Sequence, residues 1–393
     1  MSVAAALERL IGRLPIGWLQ LAHSPVRFSA ALAGVAFAVI LILMQLGFMG
    51  ALIDSVKVPY QHFAADIVIS ASDMNTLADG GPAPRQRMYE ALAVEGVASA
   101  TPLYFAKLDW KQPDGTIRSL DTFGVDPAAR AFRTPGIEAG RAALMLSDAA
   151  LIDRRTRNAP KGLFDRIAAG ETYRFEAKGR TLTIAGLFEM GGGFVSDGYL
   201  VVSDQTFLKL FPQRAAGAPN HILLTLAQGA DAAATAARLR QALPAYDVVA
   251  RTVAEAMAKE VSFQTTQRPV GIVFGFGVVI GAMVGIIIVY QVLSTDVADH
   301  IREYATFKAM GYPQRFFLGV VFEEAFVLAV LGFLPGLVVS LGLYKLVNIV
   351  TALPLAMTAP RAVGVFLGTL AMCAVSGAIA TRKLARADPA ELF

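Results

Sequence analysis

Cysteine is nearly absent from this sequence. Cys373 is the only one in 393 residues, so no disulfide can form within the chain. Histidine is scarce as well, at four residues, and no Cys/His cluster has metal-ligand spacing. Charged residues make up 17%, against roughly 25% in an average soluble domain. The net charge of +4 is small and dispersed, which excludes a nucleic-acid binder working through a basic surface. Catalytic signatures are also missing. No GxxxxGK(S/T) run is present, so the chain has no P-loop for ATP, and it has neither a GxSxG elbow nor an HExxH helix. Its carboxylates lack a paired arrangement for acid–base work, and the isolated His62 reads as a structural histidine. These residues give no case for an enzyme or for a cofactor held by this chain.

Apolar residues are abundant instead, at 55%, with a mean hydropathy of +0.52. That excess excludes both an ordinary cytosolic enzyme and a disordered chain. They cluster at the two ends. A hydrocarbon core about 30 Å thick needs ~20 apolar residues as helix. Four segments qualify: 28–54, 269–293, 316–345 and 362–381. The remaining pieces are a tail (1–27), an insert (55–268), a loop (294–315) and a second tail (382–393). Arg9, Arg13 and Arg27 lie in the first tail, Arg302, Lys308 and Arg315 in the loop, and Arg382, Lys383 and Arg386 in the second tail. Basic residues mark the cytoplasmic side, so both termini are expected there and the insert outside, in a periplasm or its equivalent. The first span is expected to be an uncleaved anchor, because its apolar run exceeds a signal-peptide core.

The insert begins and ends with β-α-β patterns. Residues 66–70, 97–110 and 116–125 read as strands, with Pro113-Asp114-Gly115 as a turn and a helix over 84–94. Near its end, 221–226 and 246–251 read as strands around a helix capped by Asp231. Together they predict a split ferredoxin-like subdomain of the porter type. Residues 126–213 predict a second, β-rich subdomain with a hairpin around Lys178-Gly179-Arg180. Gly191-Gly192-Gly193 reads as a loop, since no Lys-Ser/Thr helix follows to make a phosphate cradle.

Three features suggest mechanism. In the loop 294–315, Val297, Ile301, Tyr304, Ala305 and Lys308 follow helical spacing, and Gly311 and Pro313 end the pattern. Such an amphipathic helix can dock a soluble partner or lie on lipid. In span two, Gly271, Gly275, Gly277, Gly281 and Gly285 include small-xxx-small spacings, which point to a seam between two copies or to close packing within one chain. In span three, Glu323 and Glu324 carry a cost of roughly 2.5–3.5 kcal/mol at mid-bilayer. They lie nearer the cytoplasmic end, and one is expected to pair with Arg302, Lys308 or Arg315.

Two motifs then resemble a family. Glu303-Tyr-Ala-Thr-Phe-Lys-Ala-Met-Gly311 resembles the R-E-x-x-x-x-(K/R)-A-(I/M)-G signature of permeases in the MacB/FtsX/LolC group of ABC systems. The close Arg386-Ala-Asp388-Pro389-Ala390-Glu391-Leu-Phe393 resembles that group's R-x-D-P-A-E-A-L. More narrowly, the chain resembles DevC-type exporter permeases through short stretches in order along nearly its whole length. Among them are Pro15-Ile-Gly-Trp-Leu-Gln-Leu21, Phe123-Gly-Val-Asp-Pro127 and Leu331-Gly-Phe-Leu-Pro-Gly336. The resemblance implies four transmembrane helices with a large α+β periplasmic domain. It implies an ABC ATPase supplied in trans, with ATP and Mg held by that partner. It further implies a periplasmic adaptor leading to an outer-membrane channel, a homodimer, and an amphiphile or lipid cargo moved outward by mechanotransmission. Ile301, Arg302, Glu303, Tyr304, Thr306, Phe307, Lys308, Met310 and Gly311 would then contact the ATPase. The alternative is an FtsX-like transmitter that moves no cargo and activates a cell-wall hydrolase outside. The long two-part insert favours the exporter.

Overall fold

The computed structural model describes residues 16–386 other than 24, 302, 304, 305 and 307–309. These residues fall into two compact units. One takes in the described residues up to 50, those of 272–351 and 355–386, and the other takes in 51–271 and 352–354.

Among the described residues, four helices are long and apolar enough to cross a membrane: Pro25–His62, Pro269–Asp299, Arg315–Thr351 and Ala359–Thr381. The full third and fourth helices run Gln314–Thr351 and Ala359–Arg386. They are longer than the apolar runs because helix continues into the polar flanks, where backbone bonding does not require apolar side chains. A short helix, Ile16–His23, precedes them. Span one is the hub of this unit. A Cβ added at Gly277 would overlap Gln45, one at Gly281 would meet Ile42 at 2.9 Å, and one at Gly285 would overlap Met372 and meet Ala38 at 3.0 Å. Gly34 of span one meets Ile288 in the same way, so spans one and two run in opposite directions at backbone-close range. Span three runs with span one. Gly332 sits against Val35, Gly336 against Val39, and the Tyr344 hydroxyl donates to the Leu43 carbonyl. Val35, Val39, Leu43, Leu293, Phe317, Val321 and Leu328 are buried in the common core.

The outer unit is built on one nine-stranded sheet: β1 (Ile67–Ala71), β2 (Val97–Lys111), β3 (Ile117–Val125), β4 (Ala149–Asp153), β5 (Tyr173–Ala177), β6 (Arg180–Phe188), β7 (Gly198–Ser203), β8 (His221–Leu226) and β9 (Val248–Thr252). The strand order is β5-β6-β4-β7-β3-β2-β8-β1-β9. The β2-β8-β1-β9 part is antiparallel throughout, and it carries the helices Gln86–Leu92 and Ala232–Ala242 between its strands. That is the split ferredoxin-like arrangement. The Asp231 carboxylate caps the second helix, accepting from Ala234 N–H at 2.7 Å. Lys178 and Gly179, at φ 52° and 72°, form the two-residue loop between β5 and β6, the positive-φ pair that a type I′ hairpin requires.

The second half is not a separate sheet. Strands β4 to β7 lie inside the expected 126–213 stretch, yet β7 pairs in parallel with β3 and so continues the first half. The β2–β3 hairpin, paired from Leu103↔Val125 to Lys111↔Ile117, belongs to both halves. Strand β4 gave no alternating signal, because all five of its residues are buried. Two aromatic-rich cores cover the sheet, one around Phe63, Phe105, Phe123 and Phe132, the other around Trp110, Phe175 and Phe207.

Candidate functional site: the segment after span two and its supports

The helix of span two continues to Asp299, so Val297 belongs to it and not to a separate loop helix. Residues 301, 303 and 306 are again helical, Met310 N–H donates to the Thr306 carbonyl at 3.0 Å, and Gly311 ends the turn at φ 89°. Ile301 packs on the membrane-unit core, while Glu303, Thr306, Met310 and Gly311 are exposed. At 100° per residue, positions 303, 306 and 310 share one face and 301 lies opposite. The segment thus turns one side inward and offers a carboxylate, a hydroxyl and a thioether on the other. A partner groove can bury Met310, which is 61% exposed, and meet Glu303 with a cation. Arg302, Tyr304, Phe307 and Lys308, expected in the same site, lie outside the described residues.

Both intramembrane acids have neighbours in the Ile16–His23 helix. Glu323 Oε1 accepts from the Trp18 backbone N–H at 3.3 Å. Trp18 lies on the Ile16–His23 helix, so this bond ties that helix to span three. Glu324 is fully buried under Gly17, where an added Cβ would lie 2.9 Å from its Cγ. Both of its carboxyl oxygens, and Oδ2 of Asp296 on span two, are buried without a hydrogen-bond partner among the described residues. Asp296 also lies 3.7 Å from His300 Nδ1, and the neighbouring Asp299 pairs with Arg27. Of the three cations expected here, only Arg315 is a described residue, and neither glutamate is paired with it.

The five glycines expected at a seam divide. Gly277, Gly281 and Gly285 are consumed by packing against span one and, for Gly285, Met372 of span four. Gly271 lies against the backbone of Gln264 and Thr265, and Gly275 alone faces open space. Small residues were needed where helix backbones of the same chain approach. The exposed face of span two is apolar and large: Val273, Phe276, Ile280, Met283 and Ile287.

In the outer unit, the Gly191–Gly193 loop holds no free cradle. The N–H groups of Met190 and Gly191 donate to the buried Asp153 carboxylate at 3.2 and 2.7 Å. His62 Nδ1 is bonded to Thr134 Oγ1 at 2.8 Å, the structural role expected of it. A second network had no sequence signal, since its members are distant along the chain. Glu260 Oε2 accepts from Tyr60 OH at 2.7 Å and from Leu77 N–H at 3.0 Å. His221, fully enclosed, takes the Ser70 hydroxyl on Nδ1 and donates from Nε2 to the Leu77 carbonyl. Burial pushes the Glu260 carboxyl up to about 7 and the His221 imidazole down to about 4.

Among the described residues, four helices able to cross a membrane, with a composite α+β domain between the first two, give the layout of a membrane protein with a large outer domain. A model of the MacB-like periplasmic core domain matches residues 28–242, and one of the FtsX-like permease C-terminal region matches 272–389. The first covers more than half of the chain, which therefore belongs to this family of ABC-type permeases, inner-membrane proteins with a periplasmic domain. Among solved structures, the periplasmic region of MacB from Actinobacillus actinomycetemcomitans is similar at 11% identity. It covers 49% of this chain and 91% of its own, with a TM-score of 0.35. The extracellular domain of the noncanonic ABC-type transporter YknZ from Gram-positive bacteria is similar at 10% identity, covering 45% and 90%, with a TM-score of 0.31. A domain of a permease protein from Porphyromonas gingivalis shares 17% identity over 46% and 81%, with a TM-score of 0.30. No curated protein matches the chain.

Proposed function

We propose that this permease is the membrane subunit of a tripartite exporter of the DevC type. A separate ABC ATPase docks on the segment after span two, and ATP and Mg are held there, not by this chain. The periplasmic domain engages an adaptor that leads to an outer-membrane channel. Cargo is a lipid or amphiphile taken from the periplasm or the outer leaflet, and motion of the spans is passed outward without a pore through the chain. Both termini lie in the cytoplasm, in keeping with their basic residues. Two copies pair, with the uncovered face of span two and Gly275 as the contact.

The observation that carries this reading is the composite outer domain, a ferredoxin-like half extended by five further strands (β3 to β7). A transmitter needs only a small outer domain to touch a hydrolase, whereas an adaptor ring needs a broad platform. Purification in mild detergent with mass spectrometry of co-purifying proteins tests the partners. An ATPase with an adaptor is expected, and an ATPase with a cell-wall hydrolase would favour the FtsX-like alternative. Within such a complex, Glu303→Lys or Lys308→Glu should lower export at least tenfold while ATP hydrolysis persists. Export at the unaltered level would remove the docking assignment.

A further inference from the structure

The outer unit has a cavity of about 680 Å³ that none of the foregoing uses. Its lining has two characters. Leu52, Phe105, Phe194 and Val270 supply apolar wall. Lys107, Arg214 and Arg268 supply three cations. Two carboxyl groups oppose them. Asp79 is already held by Arg268, Nη2 to Oδ2 at 3.3 Å, and Glu260 is committed to Tyr60 and Leu77. Lys107 bonds only a neutral group, the Val195 carbonyl at 2.9 Å, although the buried Asp121 lies across from it on β3. The guanidinium of Arg214 has no hydrogen-bond or ion-pair partner among the described residues. A half-buried cation with five donors and no acceptor is an incomplete site for an anion.

The position of the apolar wall adds a second constraint. Leu52 and Val270 each stand two residues from the points where the chain passes into the membrane unit, at Gly50 and Ile272. Leu52 is on the helix of span one and Val270 on that of span two, so part of the apolar wall belongs to the two helices that continue into the membrane unit. A small soluble anion has no use for it, while an amphiphile fills both parts at once. We infer that the cavity formed by Leu52, Phe105, Phe194 and Val270 with Lys107 and Arg214 binds the anionic head and upper acyl portion of a membrane amphiphile. The phosphate, sulfate or carboxylate of the head sits between Lys107 and Arg214. The chains lie along Phe105 and Leu52 toward the bilayer. This site deepens the exporter reading by giving its cargo a charge and a point of entry, and it rests on that reading for the word cargo only.

The test is binding to the full-length chain in neutral detergent, followed by native mass spectrometry. Phosphatidylglycerol, phosphatidylcholine with the same acyl chains, and inorganic phosphate serve as probes. Phosphatidylglycerol should be retained at least tenfold more tightly than phosphatidylcholine. Lys107→Gln with Arg214→Gln should abolish that preference, Arg214→Lys should keep it, and Arg174→Gln, on the distant β5, should leave it untouched. A matching thermal midpoint for each variant establishes that it is folded. Equal retention of the two lipids, or a preference that survives the double substitution, would overturn the proposal. So would inorganic phosphate competing at the same concentration as phosphatidylglycerol, which would make the site one for a free anion. Because no ATPase takes part, these outcomes are independent of whether the chain proves to be an exporter subunit.

Discussion

Glu260, Asp121 and His221 make the outer domain sensitive to pH, and their contributions differ in sign. Burial raises Glu260 and Asp121 to about 7 each. A carboxyl whose folded pKa lies above its unfolded value stabilises most when protonated. Its contribution is complete below about 4 and is lost as pH rises through 7. His221, lowered to about 4, behaves oppositely: its contribution is complete above about 6.5 and is lost as pH falls toward 4. Between 4.5 and 6.5 the combined contribution of these three groups therefore declines as pH rises. Glu260→Gln removes one carboxyl while its amide oxygen still accepts from Tyr60 and Leu77. The decline over this window should flatten, and stability at pH 8 should rise by on the order of 2 kcal/mol. Hydrogen exchange at the Leu77 amide, the donor to Glu260, reads this directly. An unchanged pH slope would remove Glu260 from the balance.

At the scale of the element, span two has one face for its own chain and one left over. Gly281→Leu would force a side chain into Ile42 and Leu41, and overpacking of this kind costs about 1–3 kcal/mol. A lower thermal midpoint for the membrane unit is expected. Gly275→Leu meets open space, so it should leave that midpoint unchanged and alter only cross-linking between copies. The opposite pattern would place the seam on the Gly277–Gly285 side. The sequence shows spacing of glycines but not which neighbour they admit, and for that reason the two uses were indistinguishable before the helices were packed. Local signals were read more fully. The four spans follow from apolar run length, the β5–β6 hairpin from Lys178-Gly179, and the helix at Ala232 from Asp231. What escaped was non-local. The parallel pairing of β3 with β7, the Trp18–Glu323 bond and the union of Lys107 with Arg214 each join residues some eighty or more positions apart, and no periodicity encodes such pairs.

For the whole molecule, the shared β2–β3 hairpin means that the two halves of the outer domain move together. Asp109 and Ser119 are direct partners across it. Replacing both with cysteine should allow a disulfide to form, and Cys373, buried in the membrane unit, will not compete. Export by the oxidised and reduced proteins, measured in the reconstituted complex, should agree within about twofold. Arrest in the oxidised form would reveal a hinge inside the sheet.

A further consequence lies in the strand order. Strand β9 is one edge of the sheet, and it leads through the helix Val253–Thr266 into span two. Strand β5 is the other edge, eight inter-strand spacings away, or about 38 Å at 4.8 Å each. Were β9 to rotate by about 10° with the sheet rigid, the far edge would sweep roughly 7 Å by that geometry, about the rise of five residues of helix.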